Sequence, residues 1–192
     1  YRRDVWLYWL AAGWARIGQE EHLMGRAGQV GDELGSALIG SRLVRDGMRL
    51  WFLMERTYAP YAKWFGTAFR RLPGGAALYP VLQAVLSART WPEREEGLCL
   101  LYMELARRHN QLQLTPPMPE QPRPFFGRPF RVMALHGFAD ALAGQIEDPQ
   151  VKALAARRPF GSLDLFSDNV DLVANPELRP LLRQLYTLES TE

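Results

Sequence analysis

Two adjacent carboxylates, Asp32 and Glu33, precede four arginines, Arg42, Arg45, Arg49 and Arg56, within one stretch that has the apolar spacing of a helix. The carboxylates have the chemistry of general bases or cation partners, and the guanidinium forks that of phosphate or carboxylate grips. At about 100° per residue the arginines share one sector, beside an apolar face of Ile39, Leu43, Leu50, Trp51 and Met54. Such a ridge repels itself by roughly 0.3 kcal/mol per neighbouring pair unless anions face it.

Two arrangements suit Asp32 and Glu33. In one, the helix starts near Leu34 and both carboxylates lie in its first turn, stabilised by the helix dipole. In the other, the helix runs from about Val30 to Tyr58, where Pro60 stops it, and Asp32 and Glu33 fall beside Leu50 and Trp51. An unpaired carboxylate in that apolar sector is costly, so it needs a base, a cation or a cleft. Gly31, Gly35, Gly40 and Gly47 each weaken a helix, by about 1 kcal/mol against Ala, unless a close neighbour repays the loss.

Other chemistries are thinner. Arg16 and His22 match the R-x4-6-H spacing of HEPN-type ribonucleases, a pattern that chance supplies readily. His109 shares a stripe with Tyr102 and Leu105 and reads as a hydrogen-bonded core histidine. Asp164, Asp168 and Asp171 cluster without the residue order of a calcium loop, so caps and turns are their expected use. In YAPYAKWFG, Lys63 lies among Tyr58, Tyr61, Trp64 and Phe65, fit either for packing on aromatic faces or for a phosphate or ring ligand. No metal-ligand spacing, nucleophile elbow or phosphate-binding loop occurs.

The elements that must position these residues read as helices. Asp4 is the expected cap of a first helix, apolar on nearly every side, that ends near Gly18 or Glu21, with HLMGRAG as a turn. A short helix through Phe69, one from Ala76 to Ala88, and one opened by the capping box Thr90-Trp91-Pro92-Glu93 follow. Thr115 to Phe130 holds six of the fourteen prolines and is expected to form an extended strap on the bundle surface. Helices from Gly137 to Ile146, from Pro149 behind the cap Asp148 to Arg157, and from Pro176 to Leu188 complete the chain. The expected fold is all-α: an irregular helical bundle (1–114), the proline-rich strap (115–130) and C-terminal helices packed back on the bundle (131–192).

A chain of 192 residues with 47% hydrophobic and 23% charged residues suits one globular domain. A net charge of +2 gives no electrostatic argument for nucleic acid. Every base but Lys63 and Lys152 is arginine, which a GC-rich genome would also produce. The lone Cys99 excludes an intrachain disulfide and suggests a reducing compartment. The longest uncharged apolar run, Val5 to Ala15, is well short of the roughly 20 residues that span a bilayer and lacks a signal-peptide cleavage site. A cytoplasmic protein without membrane contact is the expectation. The start at Tyr1 and the all-round apolar first helix suggest a piece of a longer protein.

Four ordered blocks, GQEEHLMGRAGQVGDELGSALIGSRLVRD, MERTYAPYAKWFGTAF, HNQLQLT and FSDNVDL, resemble the domain of unknown function 4037 from about Asp4 to Tyr186. That family is a bacterial C-terminal helical domain following a nucleotidyltransferase-like domain. The resemblance implies that such a domain precedes this chain, carrying the metal-binding carboxylates, with magnesium and a nucleoside triphosphate. This chain would be its partner and would help to form the acceptor pocket. By family block, the implied site residues are Asp32 and Glu33 as base or cation partners. Glu20, Glu21, Arg26, Arg45 and Asp46 are implied as polar substrate contacts, with Tyr58, Tyr61, Lys63 and Trp64 for a ring or phosphate. Gly47 departs from the pattern, standing where a larger apolar residue is expected and promising looser packing.

The resulting expectation is a substrate-recognition or accessory domain, inert alone, that takes a small-molecule acceptor and itself binds neither metal nor cofactor. The alternatives are a dimerisation module whose apolar first helix packs on a second copy, and a HEPN-like ribonuclease using Arg16 and His22.

Overall fold

The computed structural model describes residues 1–188, and the fold is all-α. Its axis is α1 (Arg3–Gln29), longer than the sequence suggests because HLMGRAG continues the helix instead of turning. Asp4 is not its cap: Arg2 holds that position, and the Asp4 carboxylate accepts from the backbone N–H groups of Glu147 (2.9 Å) and Asp148 (2.6 Å). The all-round apolar surface of α1 is covered from within the chain. Leu7, Leu10, Trp14 and Ile17 on one face and Trp6 and Ala12 on others are all buried.

The chain reverses at Gly31, whose φ of +85° is a left-handed conformation that glycine adopts without steric cost. Next comes α2 (Glu33–Met54), so the first-turn arrangement of Asp32 and Glu33 is the one adopted. Asp32 is the N-cap, and its carboxylate accepts from Gly35 N–H at 2.7 Å. The helix stops well before Pro60: Arg56 turns to φ +50° and Thr57 N–H closes on the Phe52 carbonyl. Arg56 is thereby removed from the ridge and stacks on Trp6, 4.0 Å from the ring centroid.

A single helical turn (Ala62–Trp64) leads into α3 (Phe65–Phe69), then α4 (Gly75–Ser87) and α5 (Trp91–Gln111). The capping box of α5 forms as the sequence implies, with Glu93 accepting from the N–H groups of Arg89 (3.1 Å) and Thr90 (3.4 Å). Cys99, on α5, is buried. The glycines let α5 press against the first two helices. A Cβ on Gly28 would lie 2.2 Å from Trp91 Cβ, and one on Gly47 2.7 Å from Leu101 Cδ2. The packing at Gly47 is therefore tight where the resemblance implied looseness.

The strap lies on the bundle, but its middle is regular. Arg123–Pro124 (β1) pairs antiparallel with Arg131–Val132 (β2), and Phe130 is buried against Gly25. Proline tolerates this place because a two-residue edge ladder asks little of its missing N–H. Asn110 fixes the start of the strap, donating to the Met118 carbonyl and Glu120 Oε1 and accepting from Met118 N–H, each at 2.9 Å.

Short helices close the fold: α6 (Phe138–Ala143), α7 (Pro149–Arg157), α8 (Leu163–Phe166), α9 (Val170–Ala174) and α10 (Arg179–Gln184). Asp148 caps α7 as expected, accepting from Gln150 and Val151 N–H, whereas the last expected helix is split into a turn at Pro176–Leu178 and α10. Phe138 of α6 stacks on Trp14 at 4.1 Å between centroids, and His109 of α5 meets its edge at 4.9 Å.

Candidate functional site

Arg45 and Arg49 lie one turn apart on α2 and project from the same face. The chain leaving α2 runs past Pro60 and brings Tyr61 and Phe65 to the same cavity as the two arginines. Together with Asp164 and with Ser167, Asp168 and Asn169 from the α8–α9 connection, they line an open cavity of about 510 Å³. The Asp168 carboxylate divides its oxygens between the two arginines, Oδ1 meeting Arg49 at 2.9 Å and Oδ2 meeting Arg45. Arg49 also donates to the Asp164 carbonyl. The acidic loop thus serves as counter-charge to the ridge.

Behind Arg45 the same helix carries Asp46, whose side chain is fully buried. Its oxygens lie 3.5 Å from Arg45 Nε and 3.3 Å from Arg16 Nε without a well-formed hydrogen bond. Burial raises the Asp46 pKa above the ordinary carboxylate value, and Arg45 and Arg16 oppose the rise. Glu20 completes the network, accepting from Arg42 (2.7 Å) and Arg16 (2.9 Å). Four cations, Arg16, Arg42, Arg45 and Arg49, therefore face three carboxylates, Glu20, Asp46 and Asp168. This answers the repulsion that the sequence pattern raised.

The implied site residues do not all converge. Glu20, Arg45 and Asp46 meet in the network, and Tyr61 lines the cavity. Lys63 and Trp64 are exposed just beyond it, with Lys63 Nζ 5.1 Å from the Trp64 ring. Tyr58 is exposed beside Tyr1. Asp32 and Glu33 stand at the other end of α2; twelve residues separate Glu33 from Arg45, about 18 Å along the axis. There Glu33 accepts from Trp91 N–H (3.0 Å) and Arg94 (3.3 Å), tying α2 to α5. Glu21 faces away from the cavity and accepts from the N–H groups of Met133 (2.7 Å) and Ala134 (3.1 Å). Arg26 is exposed near the end of α1. Arg16 and His22 also diverge, Arg16 toward Asp46 and His22 stacked on Phe125 of the strap.

Sequence reasoning named Phe65 among the aromatics around Lys63, assigned Asp168 to caps and turns, and did not single out Asn169. One signal was available: a cationic ridge and an acidic loop in one chain of small net charge each require an opposite partner.

The family model described as "Domain of unknown function (DUF4037)" matches residues 1–65. The matched part comprises α1, α2 and the Ala59–Phe65 wall of the cavity, while the blocks HNQLQLT and FSDNVDL fall outside it. No curated protein and no solved structure matches the chain. Among the described residues, no helix is long and apolar enough to cross a membrane, and no cluster of three or more His, Cys, Asp or Glu side chains forms a metal-binding group.

Proposed function

We propose that this chain is the helical, substrate-recognising part of a bacterial, cytoplasmic nucleotidyltransferase-like protein and is catalytically inert alone. The resemblance over the first helices and the following aromatic loop motivates the family context. One observation carries the recognition role: the Arg45–Arg49 pair lines, with Tyr61 and Phe65, a cavity of about 510 Å³, a volume suited to a small molecule. The arginines grip a phosphate or carboxylate, and the aromatic wall packs against a ring. The preceding nucleotidyltransferase-like domain of the same protein would hold magnesium and the nucleoside triphosphate.

Thermal melting of the chain against nucleotides, sugar phosphates, amino acids and aminoglycosides tests this reading. An anionic compound bearing a ring should raise the melting temperature, since native-state binding at a hundredfold excess over Kd stabilises by about 2.7 kcal/mol. Cationic aminoglycosides should leave it unchanged, and Arg49→Ala should abolish the shift. No response to any anionic compound, or a shift that survives in Arg49→Ala, would remove the support for this site.

A further inference from the structure

We infer that Asp168 is a built-in competitor for the arginine pair: its carboxylate occupies the place of a ligand phosphate, which enters by displacing it. The inference rests on the recognition role proposed above and adds how that site is regulated.

Three observations carry it. First, Asp168 binds as a ligand would, with one oxygen to each guanidinium. Second, exposure is unequal: the Asp168 side chain is 57% exposed while Arg49 is 16% exposed. The anion can therefore return to water while the cation stays held in the protein. Third, among the described residues, the arm carrying Asp168 is anchored mainly at its base. Gly161 donates its N–H to Tyr8 Oη (3.1 Å) and accepts from Tyr186 Oη (3.0 Å), and Leu165 is buried. Beyond Leu165, the hydrogen bonds at Ser167 and Asn169 are local: Asn169 N–H to Ser167 Oγ, and Leu172 N–H to Asn169 Oδ1.

Charge favours exchange for phosphate over exchange for another carboxylate. A phosphate dianion offers the Arg45 and Arg49 guanidiniums more charge and more acceptor oxygens than the Asp168 monoanion it would replace. An arm pinned by surface-type ion pairs is also cheap to release.

Calorimetric titration of inorganic phosphate into wild type, Asp168→Asn and Asp168→Glu at constant ionic strength is the test. Asp168→Asn should bind phosphate about three- to tenfold tighter than wild type, the range expected for losing two partly exposed ion pairs. Asp168→Glu, which keeps the charge, should stay near wild type. Independently of any variant, phosphate should speed hydrogen exchange at the Ser167 and Leu172 amides of wild type, because the arm beyond Leu165 is released. Equal or weaker binding by Asp168→Asn, with wild type still binding, would overturn the competitor while leaving the recognition role intact. Phosphate binding to neither protein would overturn the competitor together with the phosphate-gripping role of the arginine pair.

Discussion

Two buried side chains give this fold opposing responses to pH. Burial raises the Glu21 pKa from its ordinary 4.5 to about 7, although hydrogen bonds from Met133 and Ala134 N–H oppose the rise. Burial lowers His109 from 6.5 to about 4. Between about pH 4.5 and 7 the folded chain holds the Glu21 proton more tightly than the unfolded chain, so this group's contribution to stability falls as pH rises. For His109 the unfolded chain is the better proton acceptor, so its contribution is present above about 6.5 and is lost on acidification toward 4. Melting temperatures from pH 4.5 to 7.5 should show Glu21→Gln reducing the loss on the neutral side and His109→Gln reducing the loss on the acid side. A different residue, Arg94, carries a static role: its 3%-exposed side chain joins Ser36 Oγ (2.7 Å), the Ala88 carbonyl (3.0 Å) and Glu33. Arg94→Met should cost about 2–4 kcal/mol in urea titrations, because buried acceptors lose their donor. His109 was legible as a core residue from its stripe. Glu21 and Glu33 were not legible in their roles, because a carboxylate that holds backbone N–H groups across more than fifty residues leaves no local pattern.

At the scale of elements, the glycines that make this chain look like poor helix are the means by which its long helices touch. Each costs about 1 kcal/mol of propensity against Ala. At Gly28, however, a methyl would lie 2.2 Å from Trp91 Cβ, an atom too close to its backbone to swing aside. Gly28→Ala should therefore destabilise by about 1–3 kcal/mol despite its better helix propensity, read as a lower denaturant midpoint at unchanged slope. The same conflict explains where the sequence misled. HLMGRAG has the composition of a turn, yet Gly25 and Gly28 make room for Phe130 and Trp91, and the helix continues through them. Helices with local punctuation were legible nearly to the residue, as at Thr90–Glu93 and Asp148–Pro149. The pairing of β1 with β2 was not, since a two-residue ladder has no period.

The whole molecule is organised around α1, which meets α2, α5, α6, α7 and the strap. The family match ends at residue 65, but the part it covers lacks a closed core: Trp14 needs Phe138 of α6 and His109 of α5 against it. A fragment of residues 1–65 should therefore remain largely unfolded in dilute solution, without the cooperative melt of the full chain in circular dichroism. A cooperative transition in that fragment would overturn this account of α1. The candidate cavity is likewise a property of the whole, with walls from α2, from the loop after it and from a connection more than a hundred residues away. Its cationic wall was legible as a ridge, whereas the acidic wall needed the fold. The single thiol of Cys99 has a different use. Enclosed on α5, with burial pushing its pKa up to about 12, it is almost entirely unreactive in the native state at pH 8. Alkylating reagents reach it only when the core opens, so its modification rate is a built-in clock for the opening of this domain.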